Sequence, residues 1–150
     1  SLLAQKKVGQ IAENIVLEYE KERLKKINCL KKSNNVEQIS DEWANKGYDI
    51  ESFNDQESYD EIPDRFIEVK GTTGKKFSIF WSENEIKTAK EIGDRYWIYF
   101  VPEIDTQTES SPVNPEIIQN PFQKIKPYSE NLSNDEFVKS IKSFHIEKND

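Results

Sequence analysis

The chain has 150 residues, one cysteine, one histidine, no methionine and a formal net charge of -7, with 33% charged and 11% aromatic residues. A chain this long buries one core and not two comfortable ones, and a mean hydropathy of -0.84 beside three tryptophans describes a packed interior under a very polar surface. An internal disulfide, a cysteine-based zinc centre and multi-histidine chemistry are excluded, and without a span-length apolar run or a secretory leader the chain is expected to be cytoplasmic and not to engage a membrane.

From Gln5 to Ile27, apolar residues Val8, Ile11, Ala12, Ile15, Val16, Tyr19 and Leu24 recur at three- and four-residue spacing, which predicts an amphipathic helix of several turns. Glu13 and Glu20 share one side of it, beside the apolar stripe, where a carboxylate either leans into a cleft or stays solvated. Lys31 and Lys32 read as solvated helix-end charge, with phosphate contact as the alternative. "KKSNN" breaks the pattern, "VEQIS" is a possible short strand, and "YDIESF" alternates with a period of two behind Gly47.

"NDQESYDEIPD" reads as loop, and "RFIEVKG" as a strand with Phe66, Glu68 and Lys70 on one face and Ile67 and Val69 on the other. After the turn "GTTGKK" come a strand, "FSIFW", a helix with Ser82 and Glu85 as capping box and Gly93 as stop, and an apolar strand, "RYWIYFV". This order predicts an α/β (α+β) fold with a mixed sheet flanked by helices. Past Pro102 a proline-punctuated extension over 103–150 is expected to pack on the same domain. It should end in a helix over "SNDEFVKSIKSF", capped by Ser133 and Glu136, with Phe137, Ile141 and Phe144 as its apolar face. The start "SLLAQ", without methionine, suggests a piece of a larger protein.

The charge is unevenly spread: residues 1–35 carry 8 Lys/Arg and 4 Asp/Glu, residues 36–70 carry 3 and 11, and residues 71–150 carry 10 and 13. The acid thus collects around the segment that ends in "EVK". There the alternation places Glu68 and Lys70 on one face, and the preceding strand can set Asp49 beside them. Two close carboxylates repel unless a cation lies between them, and magnesium or manganese favours oxygen ligands while keeping several waters. A lysine beside them can orient a water and offset charge growing on a phosphate, so the three suit metal-assisted phosphodiester hydrolysis. The plain alternative is a cross-strand ion pair. Roughly three acid-x-lysine triplets are expected by chance at this composition, and the chain has "EVK" and "EIK", the latter in a helix where residues two apart do not share a face.

The ordered blocks "AENIVLEYE", "KGYDIES", "RFIEVKGTTGKKFSIFWSENEIKTA" and "RYWIYFV" over residues 5–102 closely resemble the domain family named for the C terminus of the plant protein NO VEIN, which looks like a branch of the PD-(D/E)xK restriction-endonuclease-like superfamily. The resemblance implies a nuclease-like core over 1–102. It implies Asp49 as the motif's first carboxylate, Glu68 as the second, Lys70 as its lysine, Glu13 as the helix glutamate and the Val69 carbonyl as a further metal ligand. Tyr48 stands where the superfamily often has proline. The implied function is a Mg2+- or Mn2+-dependent DNA endonuclease, a module of a larger bacterial restriction or defence protein, with a catalytically inactive binding module as the alternative. Its partners would be DNA and a fused or associated ATPase, helicase or specificity domain, with a homodimer also open.

Thr72, Thr73, Lys75 and Lys76 in the turn, and Asn84 at the helix start, are candidate phosphate contacts. A Walker loop is ruled out, because Val69 lies where its first glycine would be. Trp43, Trp81 and Trp97 read as core, Cys29 as a small buried hydrophobe and His145 as surface.

Overall fold

The computed structural model describes residues 1–39, 45–134, 136–140 and 144–150, without the side chain of Ser140. Trp43 and Ile141 lie outside the described residues. The first element, α1 (Leu2–Lys26), carries the expected apolar stripe: Ile11, Ala12, Val16 and Leu24 are buried. A short α2 (Leu30–Asn35) follows, in the stretch expected to break the pattern.

The main sheet contains β1 (Glu37–Gln38), β2 (Ile50–Ser52), β3 (Arg65–Gly71), β5 (Tyr96–Val101) and β6 (Glu116–Gln119) in spatial order β1-β2-β3-β5-β6. All neighbours are antiparallel except β3 and β5, which run parallel with Glu68 opposite Ile98 and Lys70 opposite Phe100. Parallel neighbours need a crossover. Here it contains β4 (Ser78–Phe80), α3 (Glu83–Ile92) and a 3-10 turn at Gly93–Arg95. Ser82 and Glu85 form the capping box of α3 and Gly93 is its C-cap, as their spacing predicted.

Period-two alternation divides the interior into two layers on opposite faces of the sheet. Ile67 and Val69 of β3, with Tyr99 and Val101 of β5, pack against α1. Tyr96, Ile98 and Phe100 of β5 pack instead with Ile86 and Ala89 of α3. Close approach of α1 depends on Gly71, where an added Cβ would stand 2.6 Å from Ala12 Cβ and 2.9 Å from Ile104 Cδ1.

The C-terminal extension packs into the second layer, with Phe137 and Ile146 buried there, but the expected terminal helix does not form. Residues Phe137–Ser140 and His145–Lys148 are strands β7 and β8, and β8 joins β7 to β4 in a separate three-stranded sheet. The open edge of β4 needs a hydrogen-bonding partner that a helix could not supply. The predicted Ser133 cap is likewise replaced: Asn134 Oδ1 accepts from the backbone amides of Glu136 and Phe137, at 2.9 and 2.8 Å. The irregular connector also contains a short helix, α4 (Pro121–Ile125), capped by Asn120. Among the described residues no helix is long and apolar enough to cross a membrane.

Candidate active site

On β3 the chemistry follows from the alternation. Because Ile67 and Val69 turn into the α1 layer, Phe66, Glu68 and Lys70 must project toward α3. Glu68 is thereby carried inside the protein, only 4% exposed.

Asp49 immediately precedes β2, and its backbone is bonded on both sides. Its amide donates to the Ile67 carbonyl and its carbonyl accepts from the Ile39 amide, both at 2.8 Å. The side chain then takes over where the β2–β3 ladder stops: Asp49 Oδ2 accepts from the Val69 amide at 2.7 Å. The expected proximity of Asp49 and Glu68 is found: the two carboxyls are near enough for each to act on the other's ionisation. Burial drives the Asp49 carboxyl up to about 6 despite the Val69 amide that favours its charged form. Burial, followed by the adjacent Asp49 charge, holds Glu68 well above the usual carboxylate range.

Lys70 Nζ lies 3.5 Å from Glu68 Oε2 and 2.8 Å from Glu85 Oε1. Burial disfavours its charge, but Glu68 and Glu85 together outweigh that and leave the ammonium pKa raised. Glu85 is the member that sequence reasoning missed, since its place in the capping box accounted for it fully. The same Oε1 accepts from the Ser82 amide at 3.1 Å and from Lys70. Topology held the missing signal: a crossover helix running back along parallel strands begins beside the carboxyl end of the first strand, where Lys70 stands.

Residues 12–114 match the model of the family described as "Protein NO VEIN, C-terminal". The chain belongs to this family. No curated protein and no solved structure matches it significantly. The stretch matched to the NO VEIN C-terminal family contains Glu13, Asp49, Glu68, Lys70 and Glu85, and ends just before β6.

The two helix glutamates have different surroundings. Glu13 is half-buried and accepts from Gln38 Nε2 at 3.0 Å; Gln38 lies on β1, next to Ile39, which bonds the Asp49 carbonyl. Glu13 therefore borders the segment that carries Asp49. Glu20 is fully buried and is held by Arg23 Nε at 2.7 Å and Nη2 at 2.8 Å, Ser52 Oγ at 2.7 Å and Tyr99 Oη at 2.8 Å. Arg65 extends this set to Tyr99 and Asn54 and stacks over Trp97. With its carboxylate oxygens fully engaged, Glu20 anchors α1 to the sheet.

The acidic loop is tied down through its own partners. Lys32 is buried and pairs with Asp60 at 2.8 Å, which corrects its reading as solvated helix-end charge, while Lys31 stays exposed and pairs with Glu61 at 2.8 Å. Among the candidate phosphate contacts, Thr72 Oγ1 accepts from the Gly74 amide, and Thr73 and Lys75 line an open cleft of about 430 Å3 with Glu103 and Asp105. Lys76 pairs with Glu147 at 2.9 Å, and Asn84 Nδ2 donates to the Asn45 carbonyl at 3.1 Å. Trp81 and Cys29 are buried as expected. His145 is half-buried on β8, stacked on Phe80 and bonded to Ser78 Oγ at 2.5 Å.

A divalent cation can be tested against these donors. Among the described residues no three His, Cys, Asp or Glu side chains form a metal cage. What the strands offer is two carboxylates in contact and, pointing the same way as the Val69 amide that reaches Asp49, the Val69 carbonyl. Such an all-oxygen, incomplete set fits a small hard ion that retains several waters.

Proposed function

We propose that the chain is a Mg2+- or Mn2+-dependent endonuclease domain of the PD-(D/E)xK kind, which hydrolyses DNA phosphodiesters as the cleaving module of a larger bacterial restriction or defence protein. The observation that carries this reading is the convergence of Asp49, Glu68 and Lys70, from two extended segments, on one buried carboxyl pair with an ammonium 3.5 Å from Glu68. Asp49, Glu68 and the Val69 carbonyl would hold the cation, which when bound polarises the phosphodiester and acidifies a water. The Val69 amide keeps Asp49 turned inward, and Glu68 would ligate the cation as the ionised carboxylate. Lys70 directs N–H donors at the attacking water and offsets charge developing on the phosphate. Glu13 supports the same edge through Gln38.

Thr72, Thr73 and Lys75 would contact backbone phosphates, and Lys76 and Asn84 would do so only by exchanging their bonds to Glu147 and Asn45. With a net charge of -7, affinity for DNA comes from a fused or associated ATPase, helicase or specificity domain, or from a second copy of the chain. Supercoiled-plasmid nicking with and without magnesium tests the proposal, with wild type beside Lys70→Ala and Glu68→Ala. Nicking that needs magnesium and is lost in both variants is expected; equal conversion by all three proteins refutes it.

One observation favours a second reading, a catalytically silent binding module. Lys70 is already neutralised by Glu85 at 2.8 Å with Glu68 3.5 Å away, so its ammonium is closed within the protein's own carboxyls. Thermal stabilisation by magnesium that disappears in Asp49→Asn would count against it.

A further inference from the structure

We infer that Glu85 is a positioning residue for Lys70, and that through it the N-terminal cap of α3 sets where the lysine ammonium stands. Three observations converge. Glu85 Oε1 is the nearest recorded partner of Lys70 Nζ, at 2.8 Å against 3.5 Å for Glu68. That oxygen is itself fixed by the Ser82 amide at 3.1 Å, while the Glu85 amide donates to Ser82 Oγ at 3.2 Å. Both partners are largely shielded from water, with side chains 17% and 21% exposed, so the pair is not an incidental surface contact.

A capping box needs only an acceptor at its third residue, and glutamine serves as well as glutamate. The charge of Glu85 suits the helix N terminus, and at 2.8 Å it is also the partner that holds the Lys70 ammonium. A flexible four-carbon side chain loses considerable freedom when held at one spot. Glu85 removes that freedom in advance, leaving the ammonium between Glu68 and α3.

The catalytic consequence rests on the nuclease reading, while the positional claim does not, so two measurements separate them. The first is detection of the Lys70 ammonium protons by nuclear magnetic resonance at neutral pH, since only a held ammonium exchanges slowly enough with water to be seen. Wild type and Ser82→Ala, which keeps the Ser82 amide, are expected to show the signal, and Glu85→Gln to lose it. A retained Lys70 signal in Glu85→Gln overturns the inference whatever the activity. The second is plasmid nicking: Glu85→Gln should lower kcat by about ten- to a hundredfold with KM little changed, the scale expected for a misplaced reacting group. Adding Glu85→Gln to Lys70→Ala should cost nothing further, because both act through one ammonium. An additive loss, or full activity in Glu85→Gln, also overturns it. A wild type that nicks nothing, with the ammonium signal lost in Glu85→Gln, removes the nuclease reading and leaves the positional claim supported.

Discussion

Gly47→Ala is the substitution with the most informative cost. Gly47 has a φ of +82°, and a Cβ built there would lie 2.3 Å from Thr88 Oγ1, 2.7 Å from Thr88 Cβ and 3.2 Å from the Asn84 carbonyl oxygen. The segment has no room to retreat without breaking contacts, because Asn84 Nδ2 grips the Asn45 carbonyl and Tyr96 Oη donates to the Gly47 carbonyl at 2.8 Å. The left-handed backbone costs alanine about 1–2 kcal/mol, and forcing a methyl against α3 adds about 1–3 kcal/mol. Urea denaturation followed by circular dichroism should therefore show a loss of about 2–5 kcal/mol with an unchanged slope. Rotation of Thr88 can relieve the Oγ1 contact but not the one to its Cβ. Adding Thr88→Ala should accordingly recover only the minor part. A loss below about 1 kcal/mol, or full recovery in the double variant, would show that Gly47 does not press on α3. Since Asp49 lies two residues on, magnesium-dependent nicking should fall in Gly47→Ala as well.

Three further outcomes are expected. Asp49 has its pKa raised to about 6 in the folded chain, so in the metal-free protein its contribution is complete at acid pH and is lost as pH rises through about 6. Between roughly pH 4 and 7, in chelator, wild type should lose stability relative to Asp49→Asn, by on the order of 2 kcal/mol; a difference that is flat or opposite in sign refutes the burial of this carboxyl. Glu20→Ala leaves Arg23 only the Phe53 and Asn54 carbonyls and Tyr99 only Arg65, and should cost about 2–4 kcal/mol in denaturant unfolding; a cost near zero would mean that the network is not formed. Gly71→Ala brings a methyl to 2.6 Å from Ala12 Cβ and should lower stability by about 1–3 kcal/mol, whereas a gain would show that α1 does not pack this closely.

Periodicity and caps made the main elements legible without coordinates. The helical stripe of α1, the alternation of β3 and the Ser82–Glu85 box are local patterns whose geometry follows from 3.6- and 2-residue repeats, and each appears where its spacing put it. The common face of Glu68 and Lys70 follows from the same alternation. Local pattern failed at the C terminus, where Phe137 and Phe144 fit a helix by spacing; the unpaired edge of β4 drew the segment into strands instead.

Only the tertiary structure decided which charges meet. Lys32 and Asp60, Glu20 and Tyr99, and Lys70 and Glu85 are brought together from separate elements, and local spacing is blind to such contacts. The sequence by itself determined a mixed α/β framework and the side of β3 from which its acid and lysine project. The parallel pairing of β3 with β5 determined the rest, because it forces a crossover helix whose first turn arrives beside Lys70 and adds a third carboxylate to the two that alternation had placed.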